Sequence, residues 1–218
     1  MKNKKRQYFI ILSVIILILS LVLGIILTNI ENLELYEKSY DKYVVYNKFE
    51  TGFAKMKVKS IFDYFHSKGE LDSGFFNESE ISHLKDVKIL LLKIKFLFLI
   101  NLIVLIYIIF ILLKKKEFKL LFPSIMIISG SFIFLIFFLF ILFNSIIGFE
   151  FIFDKFHRAF FVDNWLFDVR TSNMINLFPQ GYFSDMAFFI IFRIFLISTI
   201  LIILGLIIGN MKNKKNLF

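Results

Sequence analysis

Four long apolar stretches, separated by polar segments of unequal length, organise this chain. They cover about residues 9–30, 89–113, 120–147 and 186–209. A hydrocarbon core roughly 30 Å thick needs about 20 apolar residues per helical crossing, and each stretch meets that length. The first follows the basic start Lys2-Asn3-Lys4-Lys5-Arg6. Its apolar run is longer than that of a cleaved leader, and no small-x-small site follows, so it reads as an anchor that stays. Lys93 and Lys95 interrupt the second stretch and read as side chains that snorkel to the interface. Pro123 stands near the start of the third, where a missing N–H costs little. The fourth contains Arg193, open to a functional or a snorkelling reading, and a Gly205-x-x-x-Gly209 spacing suited to helix packing. The pattern predicts an all-α integral membrane protein with four transmembrane helices. Residues 1–218 are expected to form one membrane-embedded domain, with an extracytoplasmic cap made by 31–88 and 148–185.

Within the cap, Phe53, Met56, Ile61 and Phe65 recur at helical spacing with lysines opposite, which predicts a short amphipathic helix between Gly52 and Gly69, ending at Gly69. Asn77-Glu78-Ser79-Glu80 has capping-box chemistry: Asn77 can accept an orphan N–H and Glu80 can reach back. No Gly or Pro follows until Pro123, so a helix from Glu78 is expected to run into the second span. In the second cap segment, Thr171 or Ser172 can cap a short helix through Leu177, stopped by Pro179 and Gly181, and Ser184 or Asp185 can cap the last span. Eleven aromatics crowd between Phe149 and Phe183. An interfacial belt needs only a few rings, so this density fits better with a loop that dips into the interface and walls off a dry pocket.

Charge changes the picture in one respect, orientation. The net charge of +9 is unevenly placed. The two termini and the turn between the second and third spans carry eleven basic residues against one acid, Glu117, whereas the two long segments hold sixteen of the seventeen acids and twelve basic residues. The positive-inside rule then puts both termini in the cytoplasm. The basic excess is a topology signal with anionic-lipid contact as a side effect, and no nucleic-acid partner is expected. With 58% hydrophobic residues and no cysteine, a soluble domain, disulfides and thioester chemistry are all excluded.

Candidate chemistry is therefore sparse. His83 lies on the helix expected from Glu78, with Glu80 and Asp86 three residues to either side on the same face. His157 lies in the aromatic segment with Asp154 three residues before it and Arg158 beside it. His66 has no comparable setting. Imidazole is the natural proton carrier near neutral pH, although each histidine also reads as a plain interfacial polar residue. No HExxH-type spacing supports a metal site, and no cofactor is expected.

Taken together, four blocks resemble the lipoprotein intramolecular transacylases of Gram-positive-type bacteria. They are Glu80-Ile-Ser-His83-Leu-Lys-Asp86-Val87, Phe156-His157-Arg158-Ala-Phe160-Phe161, Trp165-Leu-Phe-Asp168-Val-Arg-Thr171 and Pro179-Gln-Gly-Tyr182-Phe183, with Asp63-Tyr64 ahead of them. The resemblance covers the whole chain in order. Ser172 and Gln180 depart from it, standing where acidic residues are common, so no carboxylate role is carried to those positions.

The resemblance implies transfer of the sn-2 acyl chain of a diacylglyceryl-cysteine lipoprotein onto the cysteine α-amino group, giving the lyso-form at the extracytoplasmic face of the bacterial plasma membrane. It implies His83 and His157 as the catalytic pair. His157 is expected as general base, with His83 orienting it or stabilising the oxyanion, and swapped roles remain open. Glu80, Asp86, Asp154, Arg158, Phe160, Phe161, Trp165, Asp168, Tyr182 and Phe183 are expected to orient the histidines or bind substrate, with Arg158 a second candidate for the oxyanion. Partners are lipoprotein substrates and membrane lipids, and the chain is expected to act as a monomer. Two other classes stand beside this reading: a non-catalytic assembly or docking protein, and a phospholipid acyltransferase or esterase.

Overall fold

The structure, a computed structural model, describes residues 2–43, 45–161 and 165–215, with side chains for all of these except 2, 3, 46 and 211–215. Among the described residues the regular elements are helical. In chain order they are α1 (Lys2–Asn29), α2 (Leu33–Tyr40), a 3₁₀ turn (Val45–Asn47), α3 (Thr51–Phe65), α4 (Glu78–Lys114), α5 (Phe118–Ile147), α6 (Phe149–Phe160), α7 (Asn173–Leu177) and α8 (Gln180–Lys215). Four of them, α1, α4, α5 and α8, are long and apolar enough to cross a membrane. Large apolar side chains such as Phe96, Ile103, Phe138 and Ile146 stand exposed along these helices, as expected where the surrounding solvent is lipid. The expected run of helix from Glu78 into the second span is observed. At 1.5 Å per residue α4 is about 55 Å long, nearly twice the hydrocarbon thickness. Its first eleven residues, which hold Glu78, Glu80, Lys85, Asp86 and Lys88, lie ahead of the apolar span.

The chain divides into two compact units. One comprises Met1–Leu27, Lys95–Phe143 and Ile190–Phe218, and the other Thr28–Ile94 and Asn144–Phe189. In the first, Val14 packs with Ile108, Leu112, Leu121 and Ile125. Asn101 donates from Nδ2 to the Ile16 carbonyl at 3.0 Å, a polar tie between α4 and α1. Helices α5 and α8 approach closely at Gly130 and Gly205. A Cβ on Gly130 would meet Ile202 Cγ1 at 2.7 Å and the Ser198 carbonyl at 2.8 Å, and one on Gly205 would meet Ile127 Cγ1 at 2.7 Å and the Pro123 carbonyl at 2.9 Å. At Gly209 the nearest atom would be 3.9 Å away. The close approach of the two helices therefore uses Gly130 of α5 against Ser198 and Ile202, and Gly205 of α8 against Pro123 and Ile127, rather than the Gly205–Gly209 spacing along one helix.

The second unit corrects several expectations. The aromatic segment is mostly helix. Gly148, at φ 84, breaks α5 and starts α6, a backbone conformation that suits glycine. Helix α3 ends at Phe65, four residues before Gly69. Ser67 takes the left-handed position at φ 58, while the Lys68 N–H reaches the Asp63 carbonyl at 2.8 Å and the Ser67 N–H the Tyr64 carbonyl at 3.0 Å. That is a Schellman close with serine where glycine was expected. His66, read as a histidine without a setting, pairs with Glu31. Helix α8 begins at Gln180, so Ser184 and Asp185 lie in its second turn, and Asp185 pairs with Lys42 at 2.6 Å. Ser172 does cap α7, accepting from the Ile175 N–H at 3.1 Å.

Candidate functional site

All the candidate residues belong to the second unit. Two helices bring the histidines together. The capping box at the start of α4 forms as expected: Asn77 Oδ1 accepts from the Glu80 N–H at 2.9 Å and Glu80 Oε2 accepts from the Asn77 N–H at 2.9 Å. One turn further on is His83. Helix α6 supplies His157 at the edge of its apolar face. The two rings lie 6.0 Å apart between centroids and nearly parallel, 18° between planes. Both are buried, at 6% and 9% exposure.

Aromatic rings enclose the pair. Phe161 contacts both, with centroids 4.7 Å from His83 and 5.5 Å from His157. Phe153 lies 4.0 Å from His157, Trp165 5.2 Å and Phe156 5.6 Å. Phe167 meets His83 edge-on at 5.7 Å. Phe153 and Phe167 were not singled out as site residues in the sequence. The i, i+4 spacing of Phe153 and His157 is the signal for the first of them, and the second stands in the Trp165–Thr171 block among the aromatics expected to wall off a pocket.

Hydrogen bonding distinguishes the two imidazoles. His157 Nδ1 lies 2.8 Å from the Phe153 carbonyl. A carbonyl only accepts, so Nδ1 carries the proton and Nε2 keeps its lone pair. His83 Nδ1 is buried without a hydrogen-bond partner among the described residues. Burial also lowers both pKa values. His83 is pushed from 6.5 to about 4, by desolvation first and then by the neighbouring His157. His157 is lowered by desolvation, an effect opposed by the Phe153 carbonyl and by the charge of Asp154. Both rings are neutral at pH 7.

The acidic candidates play other parts. Glu80 is 1% exposed. Its Oε1 accepts from Ser172 Oγ at 2.6 Å and from the Met174 N–H at 2.8 Å, so its carboxylate joins the start of α4 to the start of α7 and bonds to neither histidine. Asp86 is exposed. Asp154 accepts from Arg158 Nε at 2.8 Å and acts on His157 only through its charge. Asp168 shapes a turn: its Oδ1 accepts from the Arg170 N–H at 2.9 Å, and its backbone carbonyl accepts from Thr171 and Ser172. Each of the four was expected to orient a histidine or bind substrate; among the described residues Glu80, Asp154 and Asp168 bond to groups other than the imidazoles.

Among the remaining candidates, Arg158 is exposed and lies with Cζ 5.7 Å from the Trp165 ring centroid. Phe160 is 55% exposed, and its ring lies 4.9 Å from that of Phe156, tilted by 44°. Tyr182 belongs to a different cluster, 4.0 Å from Tyr36 and 6.2 Å from Phe178. Phe183 links the clusters, 5.3 Å from Tyr182 and 5.4 Å from Phe153. No group of three or more histidine, aspartate or glutamate side chains able to hold a metal occurs among the described residues.

Two aligned, neutral imidazoles in an aromatic enclosure, one with a free lone pair, can pass a proton to and from a reacting group while keeping water away. Solved structures share this fold. The chain superposes on the in meso structure of the membrane-integral lipoprotein intramolecular transacylase Lit from Bacillus cereus with a TM-score of 0.80, at 20% identity, covering 97% of this chain and 99% of that one. Two structures of the same protein with a mutated histidine, to arginine and to alanine, superpose at TM-scores of 0.76 and 0.77, each at 18% identity over 98% of this chain. They cover 98% and 97% of those chains. No curated protein sequence matches the chain. The family profile described as lipoprotein intramolecular transacylase Lit matches residues 10–183, and this chain belongs to that family.

Proposed function

We propose that the histidine pair performs the family's reaction on a lipoprotein whose N-terminal cysteine bears a diacylglyceryl group and a free amine, with His157 as the base. The observation that carries this assignment is the bond from His157 Nδ1 to the Phe153 carbonyl, which leaves Nε2 as the acceptor. The amine nitrogen attacks the carbonyl carbon of the sn-2 ester, and its proton passes to Nε2 of His157. A ring N–H of His83, whose Nδ1 has no partner among the described residues, stabilises the oxyanion. The ester C–O bond then breaks and His157 returns the proton to the glyceryl oxygen. The product is an N-acyl, S-monoacylglyceryl cysteine, with no water consumed. The amine is itself the nucleophile, so no Ser or Cys is needed.

Attack closes a medium-sized ring through the cysteine and glyceryl atoms, so rate is gained by folding the substrate in place. The rings of Phe153, Phe161, Trp165 and Phe167 suit that task. They also limit hydrolysis of the ester, the competing reaction. The near-parallel rings share no hydrogen bond, which favours His83 acting on the substrate over His83 orienting His157. Both histidines come from one chain, so a monomer suffices. By the distribution of basic residues we place the termini in the cytoplasm and residues 31–88 and 148–185 on the outer face of a bacterial plasma membrane.

His157→Gln tests the assignment. Glutamine keeps a polar side chain but accepts no proton near neutral pH, so transfer should fall by roughly 10²–10⁴-fold, read by mass spectrometry of a coexpressed lipoprotein's N-terminus. A correctly inserted His157→Gln protein with most of the wild-type rate would falsify the assignment.

A further inference from the structure

Trp165 covers His157 from the described stretch 165–172, which lies outside the helices. Helix α6 ends at Phe160, and α7 starts only at Asn173. The described aromatic and cationic contacts of Trp165 are two: the His157 ring at 5.2 Å, inclined by 31°, and the Arg158 guanidinium, with Cζ at 5.7 Å from the ring centroid. That distance lies within the roughly 6 Å range of cation–π attraction. Arg158 is in turn aimed by Asp154 one helical turn earlier, through the 2.8 Å bond from Nε to Oδ2. Arg158 therefore bears on the tryptophan that covers the site, whereas its adjacency to His157 in the sequence suggests direct action there.

We propose that Arg158 is a positioning residue that, aimed by Asp154, clamps Trp165 over His157 and so sets how the acyl chain is partitioned between the amine and water. The inference rests on His157 being the base. Two reactions compete for the same ester. Amine attack forms the amide C–N bond, breaks the ester C–O bond and leaves the glyceryl hydroxyl. Water attack breaks the same C–O bond, consumes one water and gives a free fatty acid with the same hydroxyl. His157 can relay the proton in both, so the choice depends on whether water reaches it, and Trp165 is one of the rings that stand in the way. A guanidinium suits the clamp because its planar face stacks on indole while its edge donates to a carboxylate, and because it stays charged at every working pH.

Trp165 is the sole tryptophan of the chain, so its fluorescence reports the clamp directly. In the full-length protein in detergent micelles, Arg158→Gln should red-shift the emission excited at 295 nm and raise acrylamide quenching. The ratio of free fatty acid to N-acylated lipoprotein should rise about two- to fivefold, the loss expected for an exposed cation–π contact. Asp154→Asn should act in the same direction, since the guanidinium is then no longer aimed. Arg158→Lys keeps the charge without the planar stack and should fall between wild type and Arg158→Gln on both readouts; a purely structural role for Arg158 would leave the product ratio flat. Trp165→Phe supplies the spectroscopic blank. An Arg158→Gln protein with unchanged emission and quenching, or with an unchanged product ratio, overturns the proposal. Emission is read without turnover, so an error in assigning the base shows in the yield of His157→Gln and leaves the Arg158→Gln spectrum unaffected.

Discussion

Replacing Glu80 by alanine removes the carboxylate that joins α4 to α7. Three donors lose their acceptor: the Asn77 N–H at 2.9 Å, Ser172 Oγ at 2.6 Å and the Met174 N–H at 2.8 Å. A hydrogen bond to a charged group contributes about 1.5–3 kcal/mol, and a buried donor left unmade costs about 1–3 kcal/mol. Ser172 is 1% exposed, so water cannot replace its acceptor, whereas the two amides are partly reached by solvent. A net loss of roughly 3 kcal/mol for opening the α4–α7 joint follows, and at about 1.36 kcal/mol per factor of ten that is on the order of a 10²-fold larger open population. Hydrogen exchange read by mass spectrometry should find the segment 165–178 exchanging about 10²-fold faster in Glu80→Ala. Ser172→Ala, which removes one donor and the α7 cap, should accelerate it roughly tenfold by the same measure of energy. Transfer should fall alongside, because the stretch carrying Trp165 and Phe167 loses its downstream anchor. Exchange in Glu80→Ala within twofold of wild type would refute the reasoning and make Glu80 a cap of α4 alone.

His83 gives a pH dependence of defined sign. Its pKa is about 4 in the folded protein against an ordinary 6.5, so the unfolded state binds more protons between those values and stability falls as pH drops through that window, by at most about 3 kcal/mol. Unfolding midpoints of wild type and His83→Gln measured from pH 7.5 to pH 4 should diverge on the acid side, with the glutamine variant flatter; parallel curves would contradict a buried neutral imidazole. Orientation is tested by cysteine labelling in this cysteine-free chain: Ser73→Cys should react with an impermeant thiol reagent in intact cells and Lys115→Cys should not, and the opposite result would reverse the topology.

What could be read directly from the sequence was chemistry confined to a few neighbouring residues or to the composition of a long segment. The four spans are legible because the bilayer asks only for enough apolar residues in a row. The Asn77–Glu80 capping box and the Ser172 cap are legible because each closes within three residues. The two histidines stood out because so few other groups could carry a proton and because their blocks resemble a known family. What only the tertiary structure decided is where the second face of each residue points. Glu80 meets its capping partner three residues away, but its remaining lone pairs go to Ser172 and Met174, 92 and 94 residues along the chain. No local pattern specifies that pairing. Asp86, three residues from His83, is exposed whereas His83 is buried, since i, i+3 spacing sets only an approximate direction. Gly181 read as a helix stop, yet it lies inside α8, where a Cβ would meet the Tyr43 ring at 2.1 Å; close packing, not backbone freedom, accounts for it. The aromatic segment read as a loop because rings so dense mask a helical period, and packing of Phe153, Phe156 and Phe161 around His157 accompanies its folding into α6. Local rules act through backbone hydrogen bonds a turn apart, whereas the site is built from side chains whose partners are set by long-range packing.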